Sequence, residues 1–175
     1  MIHLTPADYL RMPWANGRGT TVEMMRVNRF DGGLLWRLSM ASVVDDGPFS
    51  LFPGVDRNLT VISGPGFWLT GDAVSLDARL LVPVAFPGDI PLRAQGTGGV
   101  ASDDFNVMAD RSLPKPDVTV LQAGVVPAGG GTLCVFALGE AMADGRMLGQ
   151  HDLIISKADL DITGGGPLIA VRLAL

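Results

Sequence analysis

The sequence predicts a mainly β protein, and three observations carry that prediction. There are 23 glycines and 12 prolines among 175 residues, well above the roughly 12% that the two types average together, so turns are frequent and long helices scarce. Several runs alternate apolar and polar residues, which is the period of a strand rather than of a helix. Hydrophobic residues make up 47% and charged residues 18%. That balance supplies a core and excludes a disordered chain, which lacks the apolar surface to offset its ordering entropy.

Taken in order, only Thr5-Pro6-Ala7-Asp8-Tyr9-Leu10 reads as helical. It is one turn, with Thr5 as N-cap and Pro6 at the first helical position, where its missing N–H costs nothing. Residues 35–40 then alternate, with Trp36, Leu38 and Met40 on one face and Arg37 and Ser39 on the other. Residues 59–62 run into Ser63-Gly64-Pro65-Gly66 and on to Phe67-Trp68-Leu69: strand, tight turn, strand. Residues 74–84 continue as short strands. At Leu113-Pro114-Lys115-Pro116-Asp117 two prolines block a helix or a central strand, which predicts a linker. Beyond it, residues 118–121, 132–138, 152–156 and 168–175 read as four more strands, parted by glycine-rich turns at 128–131 and 164–166. Runs 61–66 and 135–140 are both β stretches ending in a glycine turn, a faint likeness of the kind that repeated antiparallel strands leave in small β-barrels.

Charge and cysteine usage narrow the function. The 13 basic and 18 acidic residues give a net charge of −5 without a Lys/Arg block. A nucleic-acid partner needs a basic face for the phosphates, so none is expected. No apolar run approaches the ~20 residues of a membrane helix, and residues 1–14 lack the pattern of a secretory signal, so the cytoplasm is the expected compartment. Cys134, the single cysteine, lies in an apolar run and reads as a buried small hydrophobe. His3 and His151 are far apart, whereas zinc and iron sites want clustered histidines with a carboxylate. No metal or other cofactor is expected, and His151 reads as a turn residue. No serine sits in a nucleophile-elbow pattern.

Three polar segments remain. In Trp14-Ala15-Asn16-Gly17-Arg18-Gly19-Thr20-Thr21-Val22-Glu23, the glycines allow close backbone approach, while Asn16, Thr20, Thr21 and Glu23 supply polar groups. The same run serves equally as a turn into a strand. In residues 45–57, Phe49 and Phe52 pin an ordered loop to a core. Asp56 and Arg57 are either a surface pair worth under about 1 kcal/mol or, if they enter a cavity, Arg57 is a fork for carboxylates. In Asp103-Asp104-Phe105-Asn106-Val107-Met108, an extended chain puts Asp104, Asn106 and Met108 on one side and Phe105 and Val107 on the other. Periodicity fits a pocket wall and a solvated edge strand alike.

Together these segments resemble the HutD/Ves family of cupin-like proteins associated with histidine utilisation. The resemblance runs through Trp14-x-Asn16-Gly17-x-Gly19-x-Thr21-x-Glu23, Trp36-Arg37-Leu38-Ser39, Asp46-Gly47-Pro48-Phe49-Ser50 with Phe52-Pro53-Gly54-x-Asp56-Arg57, Phe86-x-Gly88-Asp89 and Asp104-Phe105-Asn106-x-Met108. It covers the first two thirds of the chain. It implies a double-cupin (bicupin) of two antiparallel β-barrel or jelly-roll lobes in one chain, often dimeric, with residues 1–112 carrying the motifs and residues 113–175 completing the second lobe. Trp14, Asn16, Thr21, Glu23, Arg37, Arg57, Asp104 and Asn106 become the candidate lining of a ligand pocket.

The expected function is metal-independent binding of a small polar acid related to histidine degradation, in a regulatory role. Arg37 or Arg57 would clamp a carboxylate, Asn16 and Asn106 would pair with an amide, formyl or imidazole group, and Trp14 would stack. The alternative is a metal-free isomerase or hydrolase with Glu23 or Asp104 as general base, a role that desolvation favours by raising a carboxyl toward working pH. A scaffold role would go with a filled pocket.

Overall fold

Among the described residues, antiparallel pairing joins the strands to their neighbours, in keeping with the turn-rich composition. The computed structural model describes residues 1–14 and 19–174. None of the described residues is in an α-helix, and no helix is long and apolar enough to cross a membrane. Strand β1 (Ile2–Leu4) is followed by one 3-10 turn (Pro6–Asp8). The Asp8 carboxylate closes that turn by accepting from the Thr5 N–H at 2.8 Å and the Thr5 hydroxyl at 2.9 Å.

Residues Leu10–Leu113 form one compact unit. Its strands are β2 (Leu10–Pro13), β3 (Thr20–Asn28), β4 (Leu34–Val43), β5 (Gly47–Pro48), β6 (Val55–Ser63), β7 (Phe67–Thr70), β8 (Ser75–Ala78), β9 (Val84–Pro87), β10 (Arg93–Gln95) and β11 (Ser102–Asp110). They make a six-stranded sheet, β2-β3-β4-β11-β6-β9, and a four-stranded sheet, β5-β10-β7-β8. Val43, Leu59, Val61 and Phe86 of the large sheet pack with Phe67, Leu69 and Ala94 of the small one. The turn at residues 63–66 carries the chain between the two sheets. Gly64 sits at φ +85°, and a Cβ there would drive into the carbonyl oxygen of Ala101. Only glycine meets both demands. Residues 74–84, predicted as continuous short strands, split instead between β8 in the small sheet and the start of β9 in the large one.

The second unit comprises Met1–Tyr9 with Pro114–Leu175. It adds β12 (Asp117–Leu121), β13 (Gly124–Val126), β14 (Thr132–Ala137), β15 (Ala141–Ala143), β16 (Arg146–Leu148), β17 (Leu153–Ser156), β18 (Leu160–Gly164) and β19 (Leu168–Leu173). The sheets are β1-β17-β14-β19-β12 and β13-β18-β15-β16. All four strands predicted beyond the linker lie in the first of these. The second was missed because its strands are three to five residues long, too short for alternation to register. Residues 1–9, read from sequence as part of the N-terminal portion, join this unit because β1 pairs with β17. Within it the Tyr9 hydroxyl donates to the His151 carbonyl at 2.6 Å, and His3 Nε2 lies 2.8 Å from Asp152 Oδ2.

The strand orders of the two units correspond. Strands β12-β19-β14-β17 and β13-β18-β15-β16 repeat, eight strands later, β4-β11-β6-β9 and β5-β10-β7-β8. The runs 61–66 and 135–140, whose likeness was faint in sequence, occupy the same place in both: each leaves the large sheet for the small one.

Candidate functional site

Register on the six-stranded sheet brings the polar segments together. Arg37, Met108 and Arg57 stand side by side on β4, β11 and β6. Two residues along come Ser39, Asn106 and Leu59, and two further Ala41, Asp104 and Val61. On the outer flank, Phe86 of β9 pairs with Arg57. Because side chains alternate along a strand, one face carries Arg37, Ser39, Arg57, Asp104, Asn106 and Met108. The opposite face carries Trp36, Leu38, Phe105 and Val107, all buried. The alternation read from the sequence is therefore real, and the polar side is enclosed rather than solvated.

That face forms one wall of a cavity of about 570 Å³. The rest of the lining includes Trp14, Thr21, Ala94 and the loop from Val44 to Ser50 with Phe52. Of the candidates named from sequence, Trp14, Thr21, Arg37, Arg57, Asp104 and Asn106 line it. Glu23 does not: its Oε2 receives Arg37 Nε at 2.6 Å, so it holds Arg37 rather than facing the void. Asn16 lies outside the described residues. Asp56, the sequence neighbour of Arg57, points elsewhere and accepts from Arg111 Nε at 3.1 Å.

Arg57 is the centre of this wall. It is 6% exposed, and its guanidinium carbon lies 5.6, 5.1 and 5.0 Å from the ring centres of Phe49, Phe52 and Phe86. Such a cage favours a cation through the ring quadrupoles. Nη1 donates to the Ser50 carbonyl at 3.3 Å and Nη2 to Asn106 Oδ1 at 3.0 Å, while Nε is buried without a partner. No carboxylate forms an ion pair with Arg57 among the described residues. Asn106 Nδ2 in turn donates to Asp104 Oδ1, so the acid reaches the base only through an amide. Burial lowers Arg57 to about 10, against the pull of Asp104 and with a further push from Arg37. It stays charged at neutral pH. Burial raises the Asp104 carboxyl to about 8, outweighing the opposing influence of Arg57 and Asn106.

Trp14 and Thr21 face each other across the β2–β3 hairpin. The indole N–H donates to Thr21 Oγ1 at 2.8 Å, and the Trp14 N–H donates to the Gly19 carbonyl at 2.8 Å. The ring also lies against Gly19, where an added Cβ would stand 2.8 Å from Trp14 Cε3 and Cζ3. The spacing from Trp14 to Thr21 thus fixes an aromatic side of the cavity.

The corresponding interior of the other unit is filled. Leu133, Val135, Ala137, Leu168 and Ala170 are fully buried within one apolar cluster, on the strands that match β6 and β11. Burying an arginine and an aspartate costs several kcal/mol per ion before compensation, and the second unit shows that the same strand order closes without them. Cys134 belongs to this packed unit as expected, with burial pushing its thiol up to about 12. His151 stacks on Phe136, ring centres 5.5 Å apart. Among the described residues no group of three His, Cys, Asp or Glu side chains is placed to hold a metal ion.

Sequence reasoning missed the aromatic cage as such: it assigned Phe49 and Phe52 to a core and did not connect them to Arg57. It also left out Ser39, Ala41 and Val43 as lining, although continuing the alternation from Arg37 would have found them.

The comparisons with known proteins agree with one another. A family model described as HutD matches residues 6–167. Protein Ves of Citrobacter koseri is 33% identical over 145 residues, covering 81% of this chain and 76% of its own length. HutD from Pseudomonas fluorescens SBW25 has a TM-score of 0.85 at 32% identity, over 99% of both chains. A conserved protein of unknown function from Pseudomonas aeruginosa PAO1 also reaches 0.85, at 28% identity over 99% of this chain and 98% of its own. At the level of fold alone, a cupin 2 conserved barrel domain protein from Leptotrichia buccalis has a TM-score of 0.53 at 8% identity, over 87% of this chain and 88% of its own.

Proposed function

The chain belongs to the HutD family, and from that premise we propose that the cavity of residues 10–113 binds a small polar carboxylate of histidine breakdown, urocanate- or formylglutamate-like, in a regulatory role. One observation carries the reading: among the described residues Arg57 is a buried cation without a contacting carboxylate, on the wall of a cavity of about 570 Å³. Arg37 already has Glu23 as counter-ion. With the Asp104 carboxyl raised to about 8, no ionised carboxylate contacts Arg57 near neutral pH among the described residues. A ligand carboxylate would supply the missing charge, and the cavity falls within the ~300–1,000 Å³ of typical small-molecule sites. The HutD structure from P. fluorescens is described as a formate condition, and formate is the smallest carboxylate.

The repeated strand order and the cupin likeness support reading the two units as two cupin lobes of one chain, one packed and one kept open for a ligand. Catalysis is the alternative, and the observation in its favour is the buried Asp104. Glu23 is less suited to act as a base, because its oxygen is engaged by Arg37.

Calorimetry with urocanate, formylglutamate and formate tests the binding reading. The wild-type chain is expected to bind at least one of them, and Arg57→Met to lose about 2–5 kcal/mol of that binding. Absence of heat and of thermal shift from all three would sink it. Turnover of a bound compound that persists through purification would favour the enzyme.

A further inference from the structure

The Arg57–Asn106–Asp104 chain determines where a proton can sit. Guanidinium nitrogens only donate, so the Asn106 atom that meets Arg57 Nη2 is its carbonyl oxygen, and its NH₂ group is the one turned to Asp104 Oδ1. Oδ1 must therefore accept. The other oxygen, Oδ2, makes no hydrogen bond among the described residues, and Asp104 is one of the residues that line the cavity. An ionised oxygen there would give up its hydration for nothing. A protonated one is neutral and has an O–H to offer.

We infer that Asp104 stands in the cavity as a carboxylic acid with its proton on Oδ2, and that this O–H is the donor for the second polar end of an anion whose charge lies against Arg57. The inference rests on the carboxylate-binding reading and deepens it. The ligand class becomes small anions that carry, apart from the group at Arg57, an acceptor such as a carbonyl oxygen or a ring nitrogen. Asp104 is thus a specificity residue, and Asn106 is the positioning residue that turns its oxygens.

The charged groups around Asp104 are consistent with a neutral acid. Arg57 on β6, joined to it through Asn106, pulls toward the ionised form, and burial outweighs that pull. Arg37 on β4 is neutralised by Glu23 on β3. Asp103, beside it on β11, is engaged by the Ser63 hydroxyl at 2.8 Å. Asp45 and Asp46 also line the cavity, and both add negative potential. Asp46 is held by Thr97 and the Gly96 N–H. Burial, which raises the Asp104 carboxyl to about 8, acts in the same direction.

The test compares Asp104→Asn with Asp104→Ala, using urocanate as probe between about pH 7 and pH 9.5. Asparagine reproduces the neutral acid, because its carbonyl accepts from Asn106 and its NH₂ donates into the cavity. We expect Asp104→Ala to bind urocanate about tenfold or more weakly, the worth of one hydrogen bond, and Asp104→Asn to recover most of that loss. Wild-type binding should weaken above about pH 8 as the proton leaves, and Asp104→Asn should lose that pH dependence. Infrared spectra of the ligand-free protein at pH 6 should show a carboxylic-acid carbonyl band that Asp104→Asn removes. The absence of that band, or Asp104→Asn binding as weakly as Asp104→Ala, overturns the inference. A wild-type chain that shows the band yet binds no urocanate at any pH overturns the carboxylate reading and the donor role with it, leaving only the proton placement.

Discussion

Replacing Asp104 with asparagine also tests the interior charge balance through stability alone, with no ligand. Asp104 is 1% exposed and its carboxyl is raised from 3.8 to about 8, chiefly by burial. Below 3.8 the folded and the unfolded chain both hold the proton, and the group does not affect folding. Between 3.8 and about 8 unfolding releases it, so stability falls as pH rises, by up to about 1.4 kcal/mol per pH unit for one proton. Above about 8 both forms are ionised and the fall ends. From about pH 5 to pH 7 the wild-type chain should therefore lose roughly 2–3 kcal/mol relative to Asp104→Asn. Both histidines are present in both proteins, and the difference cancels them. Asp8, Asp46, Asp89 and Asp110 are held below the ordinary value by hydrogen bonds. Their effect has the opposite sign, is lost only as pH falls into the acid range, and cancels too. Urea unfolding at each pH unit from 5 to 9, followed by tryptophan fluorescence, gives the comparison. Parallel profiles for the two proteins would show that Asp104 does not carry a displaced proton, and the reasoning would be refuted.

Two further outcomes follow from the backbone. Gly64→Ala and Gly32→Ala both put a Cβ on a left-handed residue, at φ +85° and +87°, but Gly32 has nothing within 4 Å while Gly64 abuts the Ala101 carbonyl. Thermal unfolding should show a cost of about 1 kcal/mol at Gly32 and at least about 2 kcal/mol more at Gly64, since the corner between the sheets must move; equal losses would mean that the contact is relieved cheaply. Gly19→Ala should push the Trp14 indole off its seat, 2.8 Å being too short for a Cβ. The expected result is a shifted tryptophan emission and weaker urocanate binding with less than about 1 kcal/mol change in stability, as for a substitution away from the core; unchanged binding would remove Trp14 from the ligand's wall.

How far the site was legible in the sequence depends on the range of each signal. Alternation is local, so the shared side of Asp104, Asn106 and Met108 and that of Arg37 and Ser39 could be read directly. That the two sides are the same side is a matter of register between β4 and β11, which no local pattern specifies. The neighbours Asp56 and Arg57 could have been a surface pair or not. The strand sends them to opposite faces, Arg57 inward among three rings and Asp56 to Arg111. Glu23 looked like a lining group by its place in the motif, and its closeness to Arg37 across the β3–β4 pair made it a counter-ion instead.

By itself the sequence determined the strand character of the chain, the proline-marked boundary near residue 114, the absence of clustered histidines and the polar sides of the strands that matter. Each of these depends on residue type or on a period of two. Tertiary structure alone decided that β1 pairs with β17, and that one unit packs Leu133, Val135 and Leu168 solid while the other leaves room around Arg57. It also made an amide the link between a buried acid and a buried base. Those outcomes depend on contacts between residues tens of positions apart. Whether a charge there is paired, neutralised or left for a ligand is set by what surrounds it once water has been excluded.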